Sequence, residues 1–437
     1  MFMPMTMSEK LLARKAGKAS VSAGDLVTAK PDVIMSNDIT TAMSAIILKD
    51  YGIERLAEPD KLYVVMSHFV PAKDIASARM AKTCREFVDT FGVRHYFEAG
   101  QGGIEHALLP DEGYVVPGDL VLGADSHSCT YGGVNTFAVG IGSTDLAAAW
   151  VTGELWLRVP ETIKVVFHGV PQNPWVSGKD LVLFLINQIG DDGALYQALE
   201  YHGEAIAALS VEGRLTMANM AIEAGAKNAI FWCDAKLMEY EEKRAKRPLD
   251  PVDADPGARY HRVYEWDVTN LEPLIAFPHL PSNTRPVGEA VREKIKIDQV
   301  FIGSCTNAKI EDLRIAAKIL KGKKLASGTR GVAIPASHEI WLKALEEGII
   351  EVLVRAGFSI AEGTCGPCIG GYFGVIGAGE KMLSTSNRNF HGRTGDPKGE
   401  TFLCSPAVAA ASAVTGYITD PREVAGDDVA LCQFSRS

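Results

Sequence analysis

Three cysteines offer the most readable chemistry in this chain: Cys365 and Cys368 in GTCGPC, and Cys305 in GSCTN. Thiolates are soft ligands that suit iron-sulfur clusters, zinc or Cu(I), and glycines around them let backbone N–H groups reach the sulfurs. Three thiols leave a metal centre one ligand short of the usual four, and an open position can bind substrate. The spacing leaves three chemistries open. Cys-Gly-Pro-Cys is also the pattern of a redox dithiol, although Thr364 stands where such a motif usually carries tryptophan. A closed zinc site takes four protein ligands, and no further Cys or His sits at finger spacing beside either run.

The other chemistry-bearing residues are plainer. Asp125, Ser126 and His127 share one DSH turn, which is hard to dismiss as accidental. His68 and His106 each stand alone, and a lone histidine near a strand end is more often a satisfied structural residue than a catalyst. Arg388 and Arg393 in NRNFHGR have a bland reading as a solvated basic turn.

The elements that must position these residues follow from local pattern. KLYVVMSHFVP, GDLVLGADSHS and IDQVFIGSCTN each run from a short apolar, β-branched stretch into polar and small residues. They read as strands whose carboxyl ends carry the chemistry, where open α/β sheets place ligands. After Cys305, Leu313, Ala316, Ala317 and Leu320 recur at helical spacing, which puts GSCTN on a strand-to-helix turn and lets helix N–H groups favour a thiolate. STDLAAAWVTG is a helix capped by Ser143 or Thr144; SPAVAAASAVTG is one capped by Ser405, with Pro406 first and Gly416 as its stop. The charged, proline-bearing stretch from about Tyr240 to Arg262 reads as a connector.

The chain has 437 residues, 47% of them hydrophobic and 22% charged, with 42 glycines, which suits a well-packed α/β protein of two or three domains. No stretch approaches the roughly 18 consecutive apolar residues of a membrane helix, and the amino terminus lacks an apolar signal core. Eight cysteines, 84, 129, 233, 305, 365, 368, 404 and 432, are sparse for this length and point to a reducing compartment, with the cytoplasm as the default. A net charge of −10 excludes nonspecific nucleic-acid binding.

Several motifs together resemble the aconitase superfamily: GADSHSCTYGG, GIGSTDLAAA, GRLTMANMAIEAGA, FIGSCTN, GTCGPCIGG and SNRNFHGR, in the family's order from about Met7 to about Arg422. The branch with isopropylmalate dehydratase and homoaconitase large subunits is the most similar. The resemblance implies three related α/β/α lobes without the swivelling small-subunit domain, two intertwined lobes over 1–285 and a third over 286–437. It implies Cys305, Cys365 and Cys368 as ligands of a [4Fe-4S] cluster whose fourth iron meets the substrate. The reaction implied is dehydration of a hydroxy polycarboxylic acid and rehydration at the neighbouring carbon, which needs an acid, a base and cations for carboxylates.

By the same resemblance, His68, His106, Asp125, His127 and Glu223 are the catalytic set. Asn37, Ser126, Arg388 and Arg393 bind substrate, guanidinium forks suiting planar carboxylates. Ser36 matches a polar position near the substrate; Asn219 and Asn307 match positions near the cluster. Ser67 stands where relatives usually have Asp, which removes the expected carboxylate partner of His68. His391 and Cys404 are unusual for the isopropylmalate enzymes. The family's base is a serine in a GSSRE-like motif, absent from this sequence, so a small subunit is expected to supply it. The leading substrate is 2-isopropylmalate, in leucine biosynthesis, with homoaconitate or 2,3-dimethylmalate as alternatives. A dithiol oxidoreductase acting through CGPC is the reading from another class, and it would leave Cys305 dispensable. An iron-regulated RNA-binding protein of the aconitase type is the other, disfavoured by the acidic composition.

Overall fold

The computed structural model describes residues 3–426 and 433–435, so Cys432 lies outside the described residues. The chain divides into two compact units, Met1–Phe167 with Ala194–Ala207 and Gly225–Trp266, and His168–Gly193 with Ala208–Ala224 and Asp267–Ser437.

In the first unit a five-stranded sheet runs His95–Phe97, Leu62–Val65, Val33–Asn37, Leu120–Gly123, Phe137–Gly140, with every neighbouring pair parallel. Its central strands are continuous apolar runs buried along their whole length, the signature of parallel strands covered on both faces. The winding goes one way from Val33–Asn37 and the other way from Leu120–Gly123. Open α/β sheets bind ligands beyond the carboxyl ends of the strands at such a reversal, and here those ends lead into Asn37 and Asp125. A second sheet orders Asn228–Phe231, Ala198–His202, Thr162–His168 and Arg262–Asp267. Asn135, in the left-handed region at φ 61°, ties the unit together by donating to the carbonyls of Phe231 and Val252.

In the second unit a seven-stranded sheet runs Thr284–Pro286, Leu274–Ala276, Glu400–Cys404, Lys381–Ser384, Gln299–Ile302, Arg330–Ala333, Phe358–Ile360. The last five strands are mutually parallel, and Leu274–Ala276 joins Glu400–Cys404 antiparallel. Its reversal falls between Gln299–Ile302 and Lys381–Ser384, whose carboxyl ends lead into Cys305 and into Asn387 and Arg388. This sheet takes its first strand from Leu274–Ala276, ahead of Pro286, and the unit also gathers 168–193 and 208–224.

The helix Pro406–Thr415 has Ser405 capping Val408 N–H and Gly416 ending it at φ 80°, as its sequence dictates. The helix Ser143–Thr152 starts one residue earlier than expected: Gly142 is the cap, and no side chain caps it. The helix after GSCTN spans Ile310–Leu320 with Lys309 at its cap, and buries Leu313, Ala316, Ala317 and Leu320. Cys305 therefore lies in the turn well ahead of the helix, and the expected support of its thiolate by helix N–H groups is corrected below. The connector after Ala235–Glu242 stays without regular structure until Arg262, but is anchored by the Arg247–Asp119 ion pair at 2.6 Å. No helix among the described residues is long and apolar enough to cross a membrane.

Candidate active site

The first unit gathers one half of the expected residues around Asp125. This carboxylate caps the turn Ser126–Val134, its Oδ1 accepting from the His127 main-chain N–H at 2.8 Å and lying 2.8 Å from His106 Nε2. The turn can sit so close to the neighbouring strand because Gly140 has no side chain: a Cβ there would lie 2.8 Å from the Asp125 carbonyl. Burial alone would raise the Asp125 carboxyl; hydrogen bonds from His106 and His127 and their positive charge hold it well below the ordinary carboxylate range. Burial pushes His106 down, but Glu105 and Asp125 together outweigh it and raise it. His127 Nδ1 lies 3.6 Å from the same Asp125 oxygen and 3.4 Å from Ser126 Oγ. Ser126 itself is exposed.

His68 is less isolated than its sequence neighbour suggests. Asp38, buried next to Asn37, accepts from three successive main-chain N–H groups: Ser67 at 3.1 Å, His68 at 2.8 Å and Phe69 at 2.8 Å. Its Oδ1 then lies 3.8 Å from His68 Nδ1, and Asp125 Oδ2 lies 3.8 Å from His68 Nε2. Ser67 Oγ sits 2.8 Å from Nδ1. The expectation that Ser67 leaves this imidazole without a carboxylate partner is thus corrected: carboxylates come from the start of the helix Asp38–Asp50 and from the cap of the turn Ser126–Val134. Asn37 caps the helix Asp38–Asp50 with its Oδ1 and donates to Glu105 Oε1 at 3.3 Å. His68, Glu105 and Asp125 bring ligand atoms within 4.8 Å of one another. With Asp125 already engaged by His106 and His127, this closeness is that of an acid–base cluster rather than of a cation site.

The second unit gathers the thiols. Cys305, Cys365 and Cys368 are all buried. Ser304 Oγ lies 3.7 Å from Cys305 Sγ and donates to Cys368 Sγ at 3.6 Å. Asn387 joins the same two sulfurs, its Nδ2 3.6 Å from Cys305 Sγ and its Oδ1 3.5 Å from Cys368 Sγ. Asn219 Nδ2 reaches Cys305 Sγ at 3.1 Å. Ser304 holds φ 79°, a conformation disfavoured for a residue with a Cβ. The donors Ser304 Oγ, Asn219 Nδ2 and Asn387 Nδ2 fit sulfurs that hold a cluster, which such bonds tune, while Asn387 Oδ1 accepts from the Cys368 thiol. They replace the helix N–H groups expected from the sequence.

Cys365 precedes the short turn Gly366–Ile369, and its carbonyl accepts from Cys368 N–H at 3.1 Å. No long helix follows, so this pair lacks the helix N-terminus that lowers the thiol in a redox dithiol. By contrast, burial pushes the Cys84 thiol up to about 12, the state of an inert core thiol. Gly370, at φ 70°, is required where a Cβ would lie 2.9 Å from the Arg393 carbonyl. Arg393 in turn points Nη2 at Cys368 Sγ from 4.0 Å, and its buried Nε has no partner among the described residues.

Arg388 is not a solvated turn residue: its Nε lies 2.9 and 3.0 Å from the two oxygens of buried Glu223. Glu223 was expected among the acid–base residues, and its observed partner is this arginine. Asn307 bonds Asp312 at 3.0 Å and Thr216 at 3.4 Å rather than a sulfur. Asp38, Glu105, Ser304, Asn387 and Lys179 were missed by sequence reasoning, though four of them adjoin a residue that was found. Lys179 is wholly buried, and its ammonium donates to the carbonyls of Thr385, at 3.0 Å, and Ser386. Burial pulls it down to about 8, against the opposing pull of Cys404, Asp180 and Asp312. His391 stacks on His279 with ring centres 3.4 Å apart.

The whole chain is similar to proteins of known name. The 3-isopropylmalate dehydratase large subunit of Hydrogenobaculum sp. is 56% identical over 97% of this chain and 99% of its own. That of Aquifex aeolicus is 55% identical over 97% and 98%, and large subunit 1 of Pyrococcus abyssi is 51% identical over 97% and 100%. Among solved structures, Thermococcus kodakaraensis aconitase X in its holo form aligns over 89% of this chain and 94% of its own, at 14% identity and a TM-score of 0.48. The profile of the aconitase family (aconitate hydratase) matches residues 9–416, and the chain belongs to that family.

Proposed function

We propose that this chain works as the large subunit of a 3-isopropylmalate dehydratase, a hydro-lyase that interconverts 2- and 3-isopropylmalate in leucine biosynthesis. The observation that carries the reading is identity of 51–56% to large subunits so named, over nearly their full length. Family membership implies an iron-sulfur cluster, and we assign it as [4Fe-4S], held by Cys305, Cys365 and Cys368. When bound it supplies a Lewis acid toward the departing hydroxyl.

The chain's own residues supply the rest. Arg388 and Arg393 bind substrate carboxylates, Arg388 being oriented by Glu223. Asn37 and Ser126 contribute polar contacts. His68, His106 and His127, grouped around Asp125, manage the proton on the leaving hydroxyl, with Glu105 and Asp125 raising His106. A small subunit, implied by the relatives' printed names, brings the serine that takes the C–H proton. We divide the chain into three α/β/α lobes, two over 1–285 and one over 286–437; the three larger sheets match the number of lobes, with the third sheet also drawing on Leu274–Ala276 and Thr284–Pro286. We place the enzyme in the cytoplasm, in keeping with the free thiols among the described residues.

The test is anaerobic reconstitution of the chain with iron, sulfide and a small subunit, assayed on 2-isopropylmalate, homoaconitate and 2,3-dimethylmalate. Turnover of 2-isopropylmalate by the pair, and none by the chain alone, is expected. Preference for either other acid overturns the substrate, and full activity without the small subunit overturns the division of labour.

A further inference from the structure

Both nitrogens of the His106 ring face acceptors. Nε2 lies 2.8 Å from Asp125 Oδ1, a carboxylate held ionised. Nδ1 lies 3.2 Å from Tyr131 Oη, and the Tyr131 hydroxyl spends its only proton on the Glu105 carbonyl at 3.2 Å. A neutral imidazole carries one N–H and one lone pair, so it satisfies one of these neighbours and opposes the other; imidazolium satisfies both. That ion sits in a wholly buried place, where a charge is costly unless matched. Asp125 serves the turn, His127 and His68 besides His106, so a second anion is called for.

Glu105 has its carboxyl placed for that role. Its side chain has no exposure at all, its Oε1 lies 3.8 Å from His106 Nε2, and its Oε2 has no partner among the described residues. A buried carboxylate with one oxygen bound only by an amide at 3.3 Å is not there for hydrogen bonding alone. The other groups facing His106 are the Tyr131 hydroxyl, uncharged, and the His127 ring, with its centre 6.4 Å away.

We propose that Glu105 is a positioning residue that serves as the second counter-ion of His106, locking it as a doubly protonated, fixed cation. This rests on the reading of these histidines as the acid–base group of the dehydratase, and it deepens that reading. His106 keeps its proton through the cycle and orients Asp125, and the proton that moves is left to His68 or His127. The surrounding charges, which raise His106, agree.

The test uses the purified full chain without small subunit or substrate, carrying 13C- and 15N-labelled histidine, with the His106 signals assigned by their loss in His106→Asn. In the unaltered chain both ring nitrogens should be protonated at neutral pH. Glu105→Gln, equal in volume, should move the His106 titration down by about one pH unit or more, and Glu105→Asp should restore part of it. A neutral His106 at neutral pH in the unaltered chain overturns the proposal, as does an unmoved midpoint in Glu105→Gln. Should Glu105→Gln not fold, Tyr131→Phe removes the acceptor at Nδ1, and an unmoved midpoint there overturns the fixed-cation assignment. None of these readouts depends on turnover, so failure of the dehydratase assay leaves them interpretable.

Discussion

The two units wind their parallel sheets by one plan and furnish the same place with opposite chemistry. In each, the chain runs outward from a central strand, returns to that strand's other side, and leaves its reactive residues beyond the two strands at the reversal. In the first unit those residues are the carboxylates Asp38 and Asp125, with the amide of Asn37 beside them. In the second they are Cys305, a soft thiol met by the neutral amides of Asn219 and Asn387, and Arg388, a cation paired with Glu223. The lesson is that topology decides where a ligand is met, and side-chain type alone decides what is done to it.

That contrast breaks most sharply at the thiols. Cys305→Ser should take the activity of the reconstituted pair to background and strip its iron, while leaving the first unit's acid–base cluster intact, as His106 resonances would report. Full iron retention in Cys305→Ser would revive the dithiol reading and end the cluster assignment.

The second unit also depends on one matched pair of charges. Glu223→Gln leaves the Arg388 guanidinium without its buried counter-ion, and the loss of one member of such a pair costs about 3–5 kcal/mol. Because Arg388 remains partly accessible, with 18% side-chain exposure, the lower end is expected in urea unfolding. An accompanying rise in KM would mark the arginine as misplaced; unchanged stability and KM would mean that Glu223 does not orient it.

For the first unit pH is the sharper probe. His106 is raised, so its contribution to stability is complete below its ordinary value of 6.5 and is lost as pH rises through its higher folded value. Asp125 is lowered, so its contribution is complete above its ordinary value of 3.8 and is lost as pH falls through its lower folded value. Both are in full force between these ordinary values. Melting temperature should therefore decline on the alkaline side, and His106→Asn should flatten that limb. A limb unchanged in His106→Asn would show that other groups set it.

How far the sequence reached differs between the units for a physical reason. The strands ending in SHF, ADSH and GSCTN were legible because a fully buried parallel strand is a continuous apolar run with an abrupt polar end. The thiols were legible because spacing and residue type are local. Asp38 as partner of His68 was not, since one opens the helix Asp38–Asp50 and the other follows the strand Leu62–Val65, and they meet only when Val33–Asn37 pairs with Leu62–Val65. The same holds for Glu223 with Arg388, and for Lys179 beneath Thr385 and Ser386. Long-range pairing, not local pattern, decides which charge answers which. Even the support of Cys305 was misassigned for this cause, its donors coming from Asn219 and Asn387.

Ser67 offers the finest test of that conclusion. Read locally, its exchange for the usual aspartate is a loss that Ser67→Asp should repair. In the structure, though, Asp38 already accepts from the main-chain N–H groups of Ser67, His68 and Phe69 and lies 3.8 Å from His68 Nδ1, so a carboxylate is in place before position 67 is changed. A further carboxylate at the wholly buried position 67 would stand beside Asp38 and compete with it for His68 Nδ1, and like charges so placed cannot both stay ionised at low cost. Ser67→Ala should lose the 2.8 Å contact with Nδ1 and about 1 kcal/mol of stability. Ser67→Asp should lose more than Ser67→Ala and gain no activity. A Ser67→Asp protein more stable than the unaltered chain would show that Asp38 does not serve His68, and would return that histidine's partner to its own sequence neighbour.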